Sequence, residues 1–256
     1  VTTHSPAAIR ELKANQLYVV RATKPEHRVC PVPSANVTEA TIRLYPEALL
    51  APLVVVCEGA SEVGLLRGLD QYRWGVHRPS LAAMGVALVD GNGIDQVFKR
   101  AQVFANLGYL VAVVRDDDVK PAVEAQDAFA KVRGKITAWR EGRALEDELF
   151  LSLSDAAIKQ LLEYAVELHG DELVDAHIRS ASAGKSTLAA CKADLTLEVR
   201  ALLGVASRTK KAGWFKSVTW MEHAAREIVA PDLNNCDKEF SRVIYDLFRW
   251  MENGGT

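Results

Sequence analysis

The sequence predicts an α/β fold: a parallel sheet flanked by helices, with an all-helical insertion or subdomain. Three observations carry this. Three apolar runs of strand length recur, each separated from the next by a segment of helical period. Two of those runs empty directly into carboxylates. After Asp118 the apolar spacing stays near 3.6 residues. The first run is Leu53-Val54-Val55-Val56-Cys57, which ends at Glu58. Residues 60–71 follow as a helix with Val63, Leu65, Leu66 and Leu69 apolar. Gly85-Val86-Ala87-Leu88-Val89-Asp90 reads as the second strand, closed by Gly91-Asn92-Gly93. Residues 94–107 place Val97, Ala101 and Phe104 on one helix face, and Gly108 stops them. The third strand covers residues 110–114. Strands that alternate with helices in this order favour parallel pairing through right-handed crossovers.

Helix-length segments then cover residues 123–132, 144–151, 155–168, 172–180 and 185–203, with Ser154 as a cap and Gly170 as a stop. The expected organisation is a first part of the α/β core at 53–122, a helical insertion at 123–205, and the last part of the core with a C-terminal helix at 206–256. Residues 220–229 are expected to be helical. Pro31, Pro33, Pro46 and Pro52, in mostly polar company, make 26–52 read as a linker with one short helix at 39–50. Before it, Val1-Thr2-Thr3-His4-Ser5-Pro6 leads into a helix at 7–13 and a strand at 17–21.

The chain has 256 residues, 49% apolar and 25% charged, which is ordinary globular composition. No apolar run approaches the ~18 residues of a membrane span. The net charge of −2 argues against indiscriminate coating of nucleic acid, yet Arg208, Lys210, Lys211 and Lys216 form a local basic stretch suited to DNA phosphates. Cys30, Cys57, Cys191 and Cys236 are widely spaced, which speaks against a zinc knuckle or a disulfide framework and fits a reducing cytoplasm. A start at Val1 without a signal-like segment suggests a piece of a longer protein.

Ligands gather beyond the carboxyl ends of the strands in an open parallel sheet. Glu58 and Asp116 should therefore meet at one edge. Gly59 is expected to allow a sharp turn from strand to helix, so that Glu62, on the first helical turn, points back to the same cleft. Asp116 and Asp118 are expected to face the cleft, with Asp117 turned away as a solvated loop residue. Carboxylates so close repel one another and are tolerated mainly around divalent cations; an all-oxygen donor set suits Mg2+ or Mn2+.

Glu-Gly-x-x-Glu after one strand and Asp-x-Asp after a later one resemble the Toprim domain of topoisomerases, primases and OLD-family nucleases. The span from about Val54 to Val229, with its helical insertion, resembles the OLD (overcoming lysogenization defect) family most. The N-terminal Thr-Thr-His-Ser-Pro segment likewise resembles the end of an ABC-type ATPase head, in which His4 would sense the γ-phosphate. Walker A and Walker B segments are not in this sequence, so ATP hydrolysis is not expected of it. The resemblance implies Glu58, Glu62, Asp116 and Asp118 as ligands of two Mg2+ or Mn2+ ions, with Ca2+ occupying the site without turnover. It implies one more carboxylate from the insertion, Glu146 first and Glu148 second, and a late catalytic lysine matched by Lys216. Glu58 is a further candidate, as general base.

The function so implied is metal-dependent DNA cleavage, partnered by the ATPase head of the same protein and compatible with a homo-oligomer. The alternative is a non-cutting Toprim-derived module that binds DNA or a partner and regulates the ATPase. A topoisomerase- or primase-type enzyme comes third. Gly184-Lys185-Ser186-Thr187 ends like a phosphate-binding loop, but Arg179 stands where the first glycine is needed and no strand precedes it. It reads as a helix break.

Overall fold

The structure, a computed structural model, describes residues 1–23, 26–209 and 212–255. Its elements run α1 (Pro6–Glu11), β1 (Tyr18–Thr23), β2 (Glu26–Pro31), α2 (Asn36–Leu44), β3 (Leu53–Cys57), α3 (Ala60–Gly75), β4 (Val86–Asp90), α4 (Ile94–Asn106) and β5 (Leu110–Arg115). The second half adds α5 (Val123–Lys131), β6 (Lys135–Ala138), α6 (Leu145–Ser152), α7 (Asp155–His169), α8 (Asp171–Ala181), α9 (Leu188–Ala193) and α10 (Leu197–Ser207). It closes with α11 (Val218–Ala224), a π-helical stretch (Ala225–Val229), α12 (Ala230–Asp232) and α13 (Lys238–Glu252).

The expected parallel sheet is present, in the order β4-β3-β5-β6. Central strand β3 is buried throughout and pairs in parallel with β4 and β5, with Cys57 level with Asp90 and Val114. Alternation along β3 and β5 sends side chains into two cores. Leu53, Val55, Cys57, Ala112 and Val114 join the core beneath α3, α6, α7, α11 and α13. Val54, Val56, Val111 and Val113 join the opposite core with Val97, Phe98 and Phe104 of α4 and Phe129 of α5. Near-continuous Val and Leu runs are what a sheet covered on both faces requires. Among the described residues no helix is long and apolar enough to cross a membrane.

Four expectations need correction. The stretch 26–52 is no simple linker. β2 pairs antiparallel with β1, while Cys30, Val32, Ile42 and Ala48 are buried in the same core as Val54 and Val56. The helical run after Asp118 is interrupted by β6, which extends the sheet beside β5. Residues 185–203 form two helices, because Thr187 and Thr196 each cap a new start by accepting from Ala190 N and Val199 N. Gly59 sits at φ −152° and ψ −169°, an extended backbone open to any residue, so the turn into α3 needs no glycine freedom.

The packing that bears on function is that of α3 against α11. A Cβ on Gly64 would lie 2.6 Å from Val218 O, and one on Gly68 would lie 2.2 Å from Glu222 O. The two helices therefore touch backbone to backbone. This ties the segment just before α11, which carries Lys216, to the helix whose first turn carries Glu62.

Candidate metal centre

Glu58 directly follows β3, and its backbone continues the ladder by donating to Val114 O at 2.7 Å. Its Oε2 accepts from Asp116 N at 3.1 Å, joining the ends of β3 and β5. Glu62 turns back along the first turn of α3, where its Oε2 accepts from Gly59 N at 2.9 Å. Asp116 Oδ1 accepts from Leu145 N at 2.9 Å, so the start of α6 docks on the end of β5. That contact brings Glu146, in the first turn of α6, to the same edge.

Glu62 and Glu146 are buried, at 4% and 3% exposure. Burial disfavours their charged forms, and each carboxylate adds to its neighbours' burden. Burial, then Asp116, Glu146 and Glu58, push Glu62 well above the carboxylate range. Asp116 is pushed up to about 8 by burial, Glu146, Glu58 and Asp118. Glu58 is raised by burial and by Asp118, against the hydrogen bond from Asp116 N. Glu146 is raised by burial, while the positive charges of Lys216 and Arg208 pull it back. Glu58, Glu62, Asp116 and Glu146 thus feel one another as a single cluster, and Lys216 and Arg208 face it.

The cluster is not a closed cage. Among the described residues no group of three or more His, Cys, Asp or Glu side chains is gathered tightly enough to hold a metal ion. The hydrogen bonds explain the spread: repulsion keeps the carboxylates apart, and Glu58, Glu62 and Asp116 each rest an oxygen on a backbone N–H. Glu146 differs. Its Oε1 is buried with no hydrogen-bond partner among the described residues. A buried anionic oxygen left unpaired is costly. An all-oxygen set with one unpaired buried oxygen fits a hard divalent cation.

Asp118 lies outermost and is exposed. Arg208 reaches it, with Nη1 at 3.1 Å from Asp118 Oδ2 and 3.3 Å from Asp147 Oδ2. Expected as a DNA contact, Arg208 is thus already paired with carboxylates at the rim. A Cβ on Gly204 would meet Asp147 Oδ1 at 2.6 Å, so α10 lies tight on α6 and delivers Arg208 there. Lys216 is exposed, with its stem over Gly213, where a Cβ would lie 2.6 Å from its Cγ.

Glu148, the second choice from the insertion, is placed otherwise. It is 1% exposed and accepts from Arg140 N at 2.9 Å, Arg140 Nη2 at 2.7 Å and Ser152 Oγ at 2.9 Å. Burial pushes its pKa up, but Arg140 and Ser152 outweigh burial and hold it low. Its oxygens are satisfied by an ion pair, which removes it from the donor set. Asp117 does turn away, yet it is buried in ion pairs rather than solvated.

Lys210 and Lys211 lie outside the described residues. His4 is exposed ahead of α1, where Ser5 Oγ caps the helix by accepting from Ala8 N and Pro6 opens its first turn. Ser182 to Ser186 form a break after α8, with Gly184 at φ +80°, and a helix rather than a strand precedes them. The roles of Asp117 and Asp147 escaped the sequence reading. Three acids in one first turn, Glu146-Asp147-Glu148, were the available signal, but the pattern does not say which faces the sheet.

A parallel sheet with Glu-Gly-x-x-Glu after its central strand and Asp-x-Asp after the neighbouring one defines a Toprim fold. Residues 49–118 match the family model described as overcoming lysogenization defect protein-like, TOPRIM domain. No curated protein matches the sequence. Among solved structures, the chain is similar to the C-terminal region of the OLD protein of Xanthomonas campestris pv. campestris, phased with platinum. That similarity covers 72% of this chain and 95% of the other at 11% identity, with a TM-score of 0.36.

Proposed function

We propose that this chain is the catalytic region of a divalent-metal-dependent endodeoxyribonuclease. The observation that carries the reading is the buried Oε1 of Glu146, unpartnered among the described residues, within a cluster of raised carboxylates at the sheet edge. In this reading Glu58, Glu62, Asp116, Asp118 and Glu146 hold two Mg2+ or Mn2+ ions. Once bound, such ions supply charge for the scissile phosphate and acidity for the attacking water. Glu58 is half-buried and is suited to accept a proton from that water. Lys216, an exposed ammonium beside Glu146, is suited to neutralise charge on the phosphate and to protonate the departing 3′-oxygen. Arg208 is suited to exchange its carboxylate partners for a DNA phosphate, giving the positive rim that phosphate binding needs. The N-terminal segment fits the end of an ATPase head in a longer protein, with His4 as its nucleotide-sensing residue.

A second reading, a non-cutting module that binds DNA or a partner, draws on the open spacing of the carboxylates and on the Arg208–Asp118 pair. The two part on supercoiled plasmid. The nuclease converts it to nicked and linear forms with Mn2+ and not with EDTA, and Glu58→Ala or Asp116→Ala abolishes the conversion. Conversion that persists in both variants removes the proposed site.

A further inference from the structure

Asp117 stands between two residues assigned above to the cation site, yet its own carboxylate serves another purpose. It is 6% exposed and lies against Arg115, itself 6% exposed. Its Oδ1 accepts from Arg115 Nη2 at 2.8 Å, and its Oδ2 accepts from Gly142 N at 3.0 Å and pairs with Lys120 Nζ. Its backbone N–H donates to Arg143 O at 2.8 Å. Arg115 Nη1 donates in addition to Asp116 O at 2.5 Å.

These contacts join two loops far apart in sequence. One follows β5 and carries Asp116 and Asp118. The other joins β6 to α6 and delivers Glu146. Gly142 is at φ +73°, a left-handed conformation that presents its N–H to Asp117. Leu145 N, at the start of α6, donates to Asp116 Oδ1 and completes the junction. The loops are thus fastened at Asp116 and at Asp117, and the second fastening uses a charge locked between two cations.

We propose that Asp117 is a positioning residue: its carboxylate pins the loop of Asp116 and Asp118 to the loop before α6, setting the distance from Asp116 and Asp118 to Glu146. The proposal rests on the cation-site reading above. Asp117 touches no ion itself. It fixes where the residues on either side can meet Glu146, and outer partners of this kind typically change metal affinity 10–100-fold when removed.

Mn2+ titration calorimetry on the wild-type chain, Asp117→Asn and Asp117→Ala tests this, with circular dichroism and thermal melts of the metal-free proteins alongside. Asn retains one acceptor but loses the charge that holds Arg115 and Lys120, so it reports on the junction even where Ala fails to fold. The expected result is a natively folded Asp117→Asn that binds Mn2+ about 10–100-fold more weakly than wild type. A role in stability alone would lower the metal-free melting temperature and leave Mn2+ affinity unchanged. Folded Asp117→Asn that binds Mn2+ within about twofold of wild type overturns this proposal and spares the cation site. Wild-type protein that takes up no Mn2+ at the cluster overturns the site, and the proposal with it.

Discussion

Glu146 and Lys216 show how the chemistry of this edge is set one side chain at a time. Glu146 is held in a buried position with an oxygen unpaired among the described residues, while Lys216 nearby lowers the cost of its charge. In the proposed function Lys216 acts on the phosphate, so Lys216→Ala should slow nicking of supercoiled plasmid by about 10²–10³-fold. Glu62→Gln and Asp116→Asn should behave differently. At alkaline pH, where these raised carboxyls ionise, each removes a charge whose neighbours repel it, so each should raise the metal-free melting temperature there, by about 2–4 °C per kcal/mol of repulsion relieved, and each should abolish nicking. The pH dependence follows from the same groups. Their folded pKa values are raised, so the folded state binds protons more tightly than the unfolded chain and gains stability at low pH. For Asp116 that contribution is full below about 4 and is lost as pH rises through the folded value of about 8. Thermal melts of metal-free protein should thus show these carboxylates costing more stability at pH 8 than at pH 5.5, a difference that Glu62→Gln and Asp116→Asn reduce.

Elements place these residues, and the close approach of α3 to α11 is the clearest case. With Gly68 Cβ space already filled by Glu222 O, Gly68→Ala must push the helices apart. Overpacking of this kind costs about 1–3 kcal/mol, which urea denaturation would report as a lower midpoint. The same sequence shows which elements a reader can find unaided. β3 and β5 were legible because they are almost wholly buried and, like the edge strand β4, read as apolar runs, with Glu58 and Asp116 just past the ends of β3 and β5. β6 was not: Lys135-Ile136-Thr137-Ala138 is a short edge strand with one large apolar residue. β2 was hidden by prolines and the helix expected at 39–50 lies earlier, as α2 (Asn36–Leu44), since composition does not reveal that Val32, Ile42 and Ala48 bury against the sheet. Contacts between distant residues left no local trace either, as with Arg208 and Asp118, or Arg140 and Glu148, whose pairing decides that Glu148 is structural.

At the scale of the whole molecule, both cores and the edge between them serve one arrangement. One core supports α3, α6 and α11, which deliver Glu62, Glu146 and the Lys216 segment. The opposite core backs the sheet with α4 and α5 and takes in the N-terminal hairpin. The sheet brings Glu58 and Asp116 together, and α6 docks its first turn onto Asp116 through the hydrogen bond that Leu145 N donates to the Asp116 carboxylate. The resulting concentration of raised carboxylates is an expensive feature for a fold to keep, and divalent cations are the partners that its chemistry fits. Crystals grown with Mn2+, read by anomalous scattering, test this most directly. Mn2+ should be bound by Glu58, Glu62, Asp116, Asp118 and Glu146, with the Glu146 oxygen that is unpaired among the described residues serving as a ligand. Mn2+ bound only elsewhere, with that oxygen still unliganded and Arg208 still on Asp118, would contradict it.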